Sequence, residues 1–154
     1  MSGAHVYDGA WDDTTGCSKP VSGWEHNYVN EQVCTSGANG GVHCGVYISQ
    51  THIGVTGNNG IYRPDVDLAY SGSANGIAAV NGDSGGPVFS GISSGWKTDA
   101  ARGTITALDT TTNCNGQSTA DSWQRTAWCF HGVYYVPISV TLAVMNWTIN
   151  TSAS

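Results

Sequence analysis

Positive charge is scarce in this sequence. Five of its 154 residues are Lys or Arg against 11 Asp and Glu, giving a net charge of −6. No two of the five are neighbours, so no basic stripe could track a phosphate backbone, and nucleic acid is not an expected partner. Long apolar runs are missing as well. No stretch of 18 apolar residues occurs, and the start MSGAHVYDGAWDD has neither the basic nor the apolar region of a signal peptide, so no membrane span or leader is expected. The five cysteines form no CxxC pair and show no metal-ligand spacing, which argues against a metal site. No cofactor is expected.

Glycine is plentiful at 21 residues, and Thr, Ser, Val and Asn recur throughout, as suits short strands joined by tight turns. The expected fold class is all-β, in one domain, because the chain is too short for two of ordinary size. VNEQVCTS and GVHCGVYIS flank the turn-forming GANGG, a hairpin pattern. TGNNGIYR reads as a turn before the strand VDLAYSG, and PVFSGI and ARGTITALD read as two more strands. VYYVP ends a strand at Pro137. After it, Ile138, Leu142, Val144 and Met145 could line one side of a short helix. Residues 1 to 30 show no sustained period and read as irregular, with at most one strand near Val6 and Tyr7. Cys34 to Cys44 and Cys114 to Cys129 each enclose an interval of turn-forming residues, which reads as two local disulfides. Cys17 is left over. Disulfides imply an oxidising compartment, which sits awkwardly with a start that has no leader.

NGDSGGPVF, residues 81 to 89, is the most specific stretch. A serine hydroxyl becomes a nucleophile when a base takes its proton and donors wait for the oxyanion. Flanking glycines let backbone approach a substrate closely. GDSGGPVF resembles the nucleophile segment of chymotrypsin-like serine proteases, and the wider pattern is similar to their secreted bacterial branch, which includes the streptogrisins. CTSGANGGVHCG resembles the disulfide hairpin that opens that branch's second barrel. ARGTITALD resembles the strand beside the substrate, and YYVPISVTLAV resembles the closing strand and helix.

The resemblance implies a single six-stranded Greek-key β-barrel over residues 31 to 148, like the C-terminal half of the double barrel. A short C-terminal helix closes it, an irregular segment 1 to 30 precedes it and a tail 149 to 154 follows. It implies that Ser84 is the nucleophile, that Gly82 and Ser84 supply the oxyanion N–H pair, and that Asp83 is the buried carboxylate shaping the loop. Thr104 to Leu108 would pair with an extended peptide or protein substrate, with Thr106 where the family usually has serine and with Ala107 and Leu108 beyond it. Ala78, six residues before the nucleophile, would lie at the base of the specificity pocket and offers no charge for Lys or Arg. Val80 replaces the family's cysteine there, so Cys114 is expected to pair with Cys129. Secretion is implied too.

The family's catalytic histidine and aspartate sit on a first barrel, for which this chain has too few residues ahead of the second. VHC at His43 and VDLAY at Asp67 resemble parts of the two missing motifs. Only 24 residues separate His43 from Asp67, however, and 17 separate Asp67 from Ser84, too few for the intervening strands at about 8 to 12 residues each. The leading expectation is thus a serine endopeptidase fragment whose base comes from a missing N-terminal barrel and which is weak or inactive alone. A non-catalytic peptide-binding barrel is the alternative. A disulfide-stapled surface domain would explain the composition but not the motif.

Overall fold

A computed structural model describes residues 5–7, 18–91, 98–114, 128–149 and 151. Nine strands and one helix follow one another: β1 (His5–Tyr7), β2 (Ser18–Trp24), β3 (Gln32–Gly37), β4 (Gly41–Thr56), β5 (Tyr62–Ser71), β6 (Ala79–Val80), β7 (Pro87–Gly91), β8 (Asp99–Thr112), β9 (Cys129–Pro137) and α1 (Ile138–Met145). The ladder runs β8-β7-β3-β4-β5-β9 and closes where β9 pairs again with β8. Closure leaves six strands in a ring, the expected all-β barrel. It also removes the open edges of a flat sheet.

Alternation decides what fills the ring. Val33, Val46, Ile48, Ala69, Val88, Ile105, Val133 and Tyr135 point inward from six strands and form the buried core, with Ala78 and Ala79. Their neighbours Cys34 and Phe89 point the other way and pack with Val6 and Val21 in a second cluster. β3 and β7 are therefore covered on both faces. This explains a departure from the sequence reading: residues 18–24 were expected to be irregular, yet they form β2, which runs parallel to the start of β8 and carries Val21 onto the outer face of Cys34 and Phe89. The strand expected near Val6 and Tyr7 is β1.

Two other elements differ from expectation. β4 runs on to Thr56, well past the apolar stretch, and its far half pairs with β5 as an exposed ribbon. Its turn is closed by Asn59, whose Oδ1 accepts the N–H of Ile61 at 3.1 Å, and by Gly60 at φ +75°. α1 starts after Pro137 as expected, but buries none of its residues, and Val144 is 77% exposed. Ile138, Val140 and Leu142 are half-buried, whereas Val144 and Met145 face outward. Cys34–Cys44 and Cys114–Cys129 are disulfides, as expected. Cys17 lies outside the described residues.

Candidate functional site

The loop between β6 and β7 carries Ser84. Its N- and C-terminal ends are both fixed: Asp83 N–H donates to Val80 O at 3.1 Å and Gly86 N–H to Asp83 O at 2.9 Å. Across the barrel, Ile105 of β8 accepts from Gly85 N–H at 2.8 Å and donates to Gly86 O at 2.9 Å. Two glycines here are required by geometry. Gly82 sits at φ +94°, and a Cβ on it would lie 2.1 Å from Asn39 Nδ2; on Gly86 a Cβ would lie 2.2 Å from the backbone oxygen of Ser36. Larger residues would push the loop off β3.

Asp83 turns inward beneath this loop and is 2% exposed. Its Oδ1 accepts the N–H groups of Asn39 and Gly40 at 2.9 and 3.0 Å, and its Oδ2 that of Val80 at 2.9 Å. The first two donors belong to the β3–β4 turn, whose strands the Cys34–Cys44 disulfide joins. Three backbone donors on one carboxylate satisfy a buried charge without a cationic side chain. They also tie the loop to the turn. Asn39 adds a side-chain hydrogen bond to Asn81 O at 2.9 Å.

Ser84 and Gly82 are exposed on top of this assembly. Among the described residues neither the Ser84 hydroxyl nor the N–H groups of Gly82 and Ser84 have a hydrogen-bond partner. They border an open cleft of about 450 Å³ formed by Tyr7, Ser36, Gly37 and Ala38 on one side and residues 82–87 on the other. The arrangement presents a hydroxyl and two free backbone donors at one rim.

The other expected site residues do not line that cleft. His43 is half-buried on β4 and does not line the Ser84 cleft. Burial lowers its pKa, while the Asp83 carboxylate and a hydrogen bond to the Gly40 backbone pull the other way. Asp67 lines a different cleft of about 210 Å³, with His26, Asn27, His52 and Ser139. It accepts the N–H of His52 at 3.0 Å, and burial raises its pKa. The clefts thus do not gather His43, Asp67 and Ser84. Ala78 is fully buried in the core, its carbonyl capped by the Thr35 hydroxyl. Thr106 sits where β8 bulges against β9: Ile105 pairs with Tyr135, but Ala107 already pairs with Tyr134. Ala107 and Leu108 line a third cleft with Asp109 and Tyr134.

Arg102 is a structural centre that the sequence reading passed over. Only 5% exposed, it donates to Ser90 Oγ at 2.8 Å, His26 O at 2.6 Å, and Glu31 and Glu25 at 2.7 Å each. It holds the 25–31 loop over the Asp67 cleft. The signal was present: a lone cation inside the strand-like ARGTITALD is buried only with partners.

No protein family matches the chain, and no curated protein is similar to it in sequence. Solved structures do match. Protease A of Thermobifida fusca superposes with a TM-score of 0.63 at 19% identity, over 96% of this chain and 61% of its own. A Nocardiopsis protease gives 0.60 at 20% identity over 96% and 60%. A glutamic acid-specific serine protease that uses a histidine triad in substrate binding gives 0.62 at 16% identity over 99% and 62%. The fold is that of a chymotrypsin-like barrel half. The chain spans about three fifths of the length of each of these proteins.

Proposed function

We propose that the chain is the nucleophile-bearing barrel of a serine endopeptidase that works by acyl transfer through Ser84. The observation that carries this reading is the exposed Ser84 hydroxyl beside two unpartnered N–H groups, on a loop that Asp83 anchors from beneath. An extended peptide would pair with β8 from Thr106 to Leu108 and bring its scissile carbonyl to the Ser84 oxygen. As the Oγ–C bond forms, the carbonyl oxygen gains negative charge, and the N–H groups of Gly82 and Ser84 would accept it. A base takes the hydroxyl proton and returns it to the departing amine, and water then releases the acyl group.

That base comes from outside the described residues, on a first barrel or a partner that covers the Ser84 cleft. The two disulfides support secretion into an oxidising compartment. A second reading is favoured by one fact, that no described residue hydrogen-bonds to the Ser84 hydroxyl. A peptide-binding barrel without catalysis would need no such contact.

Labelling with a fluorophosphonate probe, read by intact mass, separates the two. The endopeptidase reading expects slow adduct formation confined to Ser84 and lost in Ser84→Ala, since oxyanion donors retain part of the rate without a base. Labelling indistinguishable from Ser84→Ala supports the binding module instead.

A further inference from the structure

Beyond Leu108, on the outer face of the barrel, Asp109 is held differently from Asp83 and Asp67, the carboxylates that line the other two clefts. Leu108 packs against the core, so its neighbour Asp109 faces outward. Asp109 of β8, Gly132 of β9 and Tyr70 of β5 stand in one row across three strands, since Asp109 pairs with Gly132 and Gly132 with Tyr70. A Cβ on Gly132 would lie 2.6 Å from Tyr70 Cε1. The missing side chain lets the Tyr70 ring lie across β9 so that its hydroxyl donates to Asp109 Oδ2. That hydrogen bond is the main reason the Tyr70 phenol is pushed up to about 12.

The remaining oxygen of Asp109 has no partner among the described residues, and Asp109 makes no ion pair there. The contrast with its peers is direct. Asp83 accepts three N–H groups, Asp67 accepts from His52 and Asn27, and Glu25 and Glu31 share Arg102. Asp109 is the one charged residue lining a cleft of about 250 Å³, between Ala107, Leu108 and Tyr134 on one side and the ribbon residues Val55 to Asn58 on the other. A carboxylate with a spare oxygen beside a phenol ring suits a cation that can donate hydrogen bonds and lie against an aromatic face.

We propose that this cleft is a substrate subsite for a guanidinium or ammonium side chain, with Asp109 as its specificity-determining residue and Tyr70 as the group that positions it. The subsite deepens the endopeptidase reading and rests on it in one respect, that Thr106 to Leu108 pair with the substrate. It concerns a residue removed from the scissile bond and is separate from the uncharged position at Ala78.

The test uses the whole chain and needs no turnover. Amide chemical shifts are followed by NMR while the peptides Ac-Arg-Ala-Ala-Ala-NH2 and Ac-Nle-Ala-Ala-Ala-NH2, with norleucine in place of arginine, are titrated in. The arginine peptide is expected to shift Asn58, Leu108 and Asp109 and to bind about five- to tenfold more tightly. Asp109→Asn should remove that preference. Gly132→Ala, which displaces Tyr70 but keeps the carboxylate, should weaken it. Equal affinity for both peptides, or a preference that survives Asp109→Asn, overturns the subsite. Shifts at Asp109 without shifts at Ile105 and Thr106 uphold the cation site while showing that the peptide does not run along β8. Shifts along β8 with no arginine preference reject the subsite and leave the substrate strand standing.

Discussion

Two of the buried aspartates line clefts, and the barrel satisfies them to different extents. Asp83, under Ser84, meets three backbone N–H groups, two from the β3–β4 turn and one from Val80 of β6. Asp67, under the cleft at His26 and His52, meets one backbone N–H and the Asn27 side chain. Burial then dominates at Asp67 and raises its pKa. The difference follows from what each carboxylate is for. Backbone donors cannot rotate away, so Asp83 fixes the shape of the loop around it. Asp67 instead depends on a loop that is itself held in place by Arg102.

Removing the better-satisfied carboxylate should do the most damage. Asp83→Ala leaves the N–H groups of Asn39, Gly40 and Val80 without an acceptor, the last two buried and the first half-buried, so a loss of about 3 kcal/mol or more is expected. Chemical denaturation measures it. Slow labelling of Ser84 should vanish in the same variant even below its melting temperature, because the loop no longer holds its two free donors in place. A variant that melts early yet labels as fast as the parent would show that Asp83 only stabilises.

The second cleft breaks through its clamp. Arg102→Met removes four donated hydrogen bonds but leaves Glu25 and Glu31 in solvent, so a loss of about 2 kcal/mol is expected, less than at Asp83. Hydrogen exchange should rise at Tyr28 to Glu31 while Ser84 labelling stays unchanged. Loss of Ser84 labelling would instead mean that the two clefts are coupled. Milder still, Glu25→Gln with Glu31→Gln should cost under about 1 kcal/mol and only at low salt, because both glutamates are well exposed. A salt-independent cost would place the strength of the clamp in those ion pairs.

The two clefts also differ in how far the sequence revealed them. Apart from Tyr7 and Ile105, what surrounds Ser84 is local: NGDSGGPVF and CTSGANGGVHC are short segments whose glycines and turn residues announce their geometry, and the ring of strands follows from inward residues such as Val33, Val46 and Val133. What stayed hidden depends on register between distant segments. β2 exists because Val21 finds Cys34 and Phe89, and SKPVSGW, with its proline and glycine, carries no period of its own. The far half of β4 only half-buries Thr51, Ile53 and Val55, exposes the residues between them, and pairs with β5 alone. Arg102 reaches partners 71 to 77 residues away. The row of Asp109, Gly132 and Tyr70 forms only once three strands are aligned. His43 and Asp67 resemble triad motifs over three to five residues, but short segments do not specify which cleft a side chain will enter.

The smallest expected effect sharpens the comparison most, because it isolates burial from donors. Burial raises the Asp67 pKa in the folded chain, so the folded state keeps that proton to a higher pH than the unfolded chain, where an aspartate titrates near about 3.9. As pH rises from that value through the folded one, the unfolded chain has already released its proton, and ionising the buried carboxylate works against folding. The Asp67 contribution is therefore full below the unfolded value and is lost as pH rises. Asp67→Asn cannot ionise and keeps an oxygen for the His52 N–H. The stability of the parent measured against this variant should fall as pH rises above about 4 and level off once the folded chain has also released the Asp67 proton. Parallel curves across that range would mean that the His52 and Asn27 donors offset burial fully, and that the two carboxylates are satisfied alike.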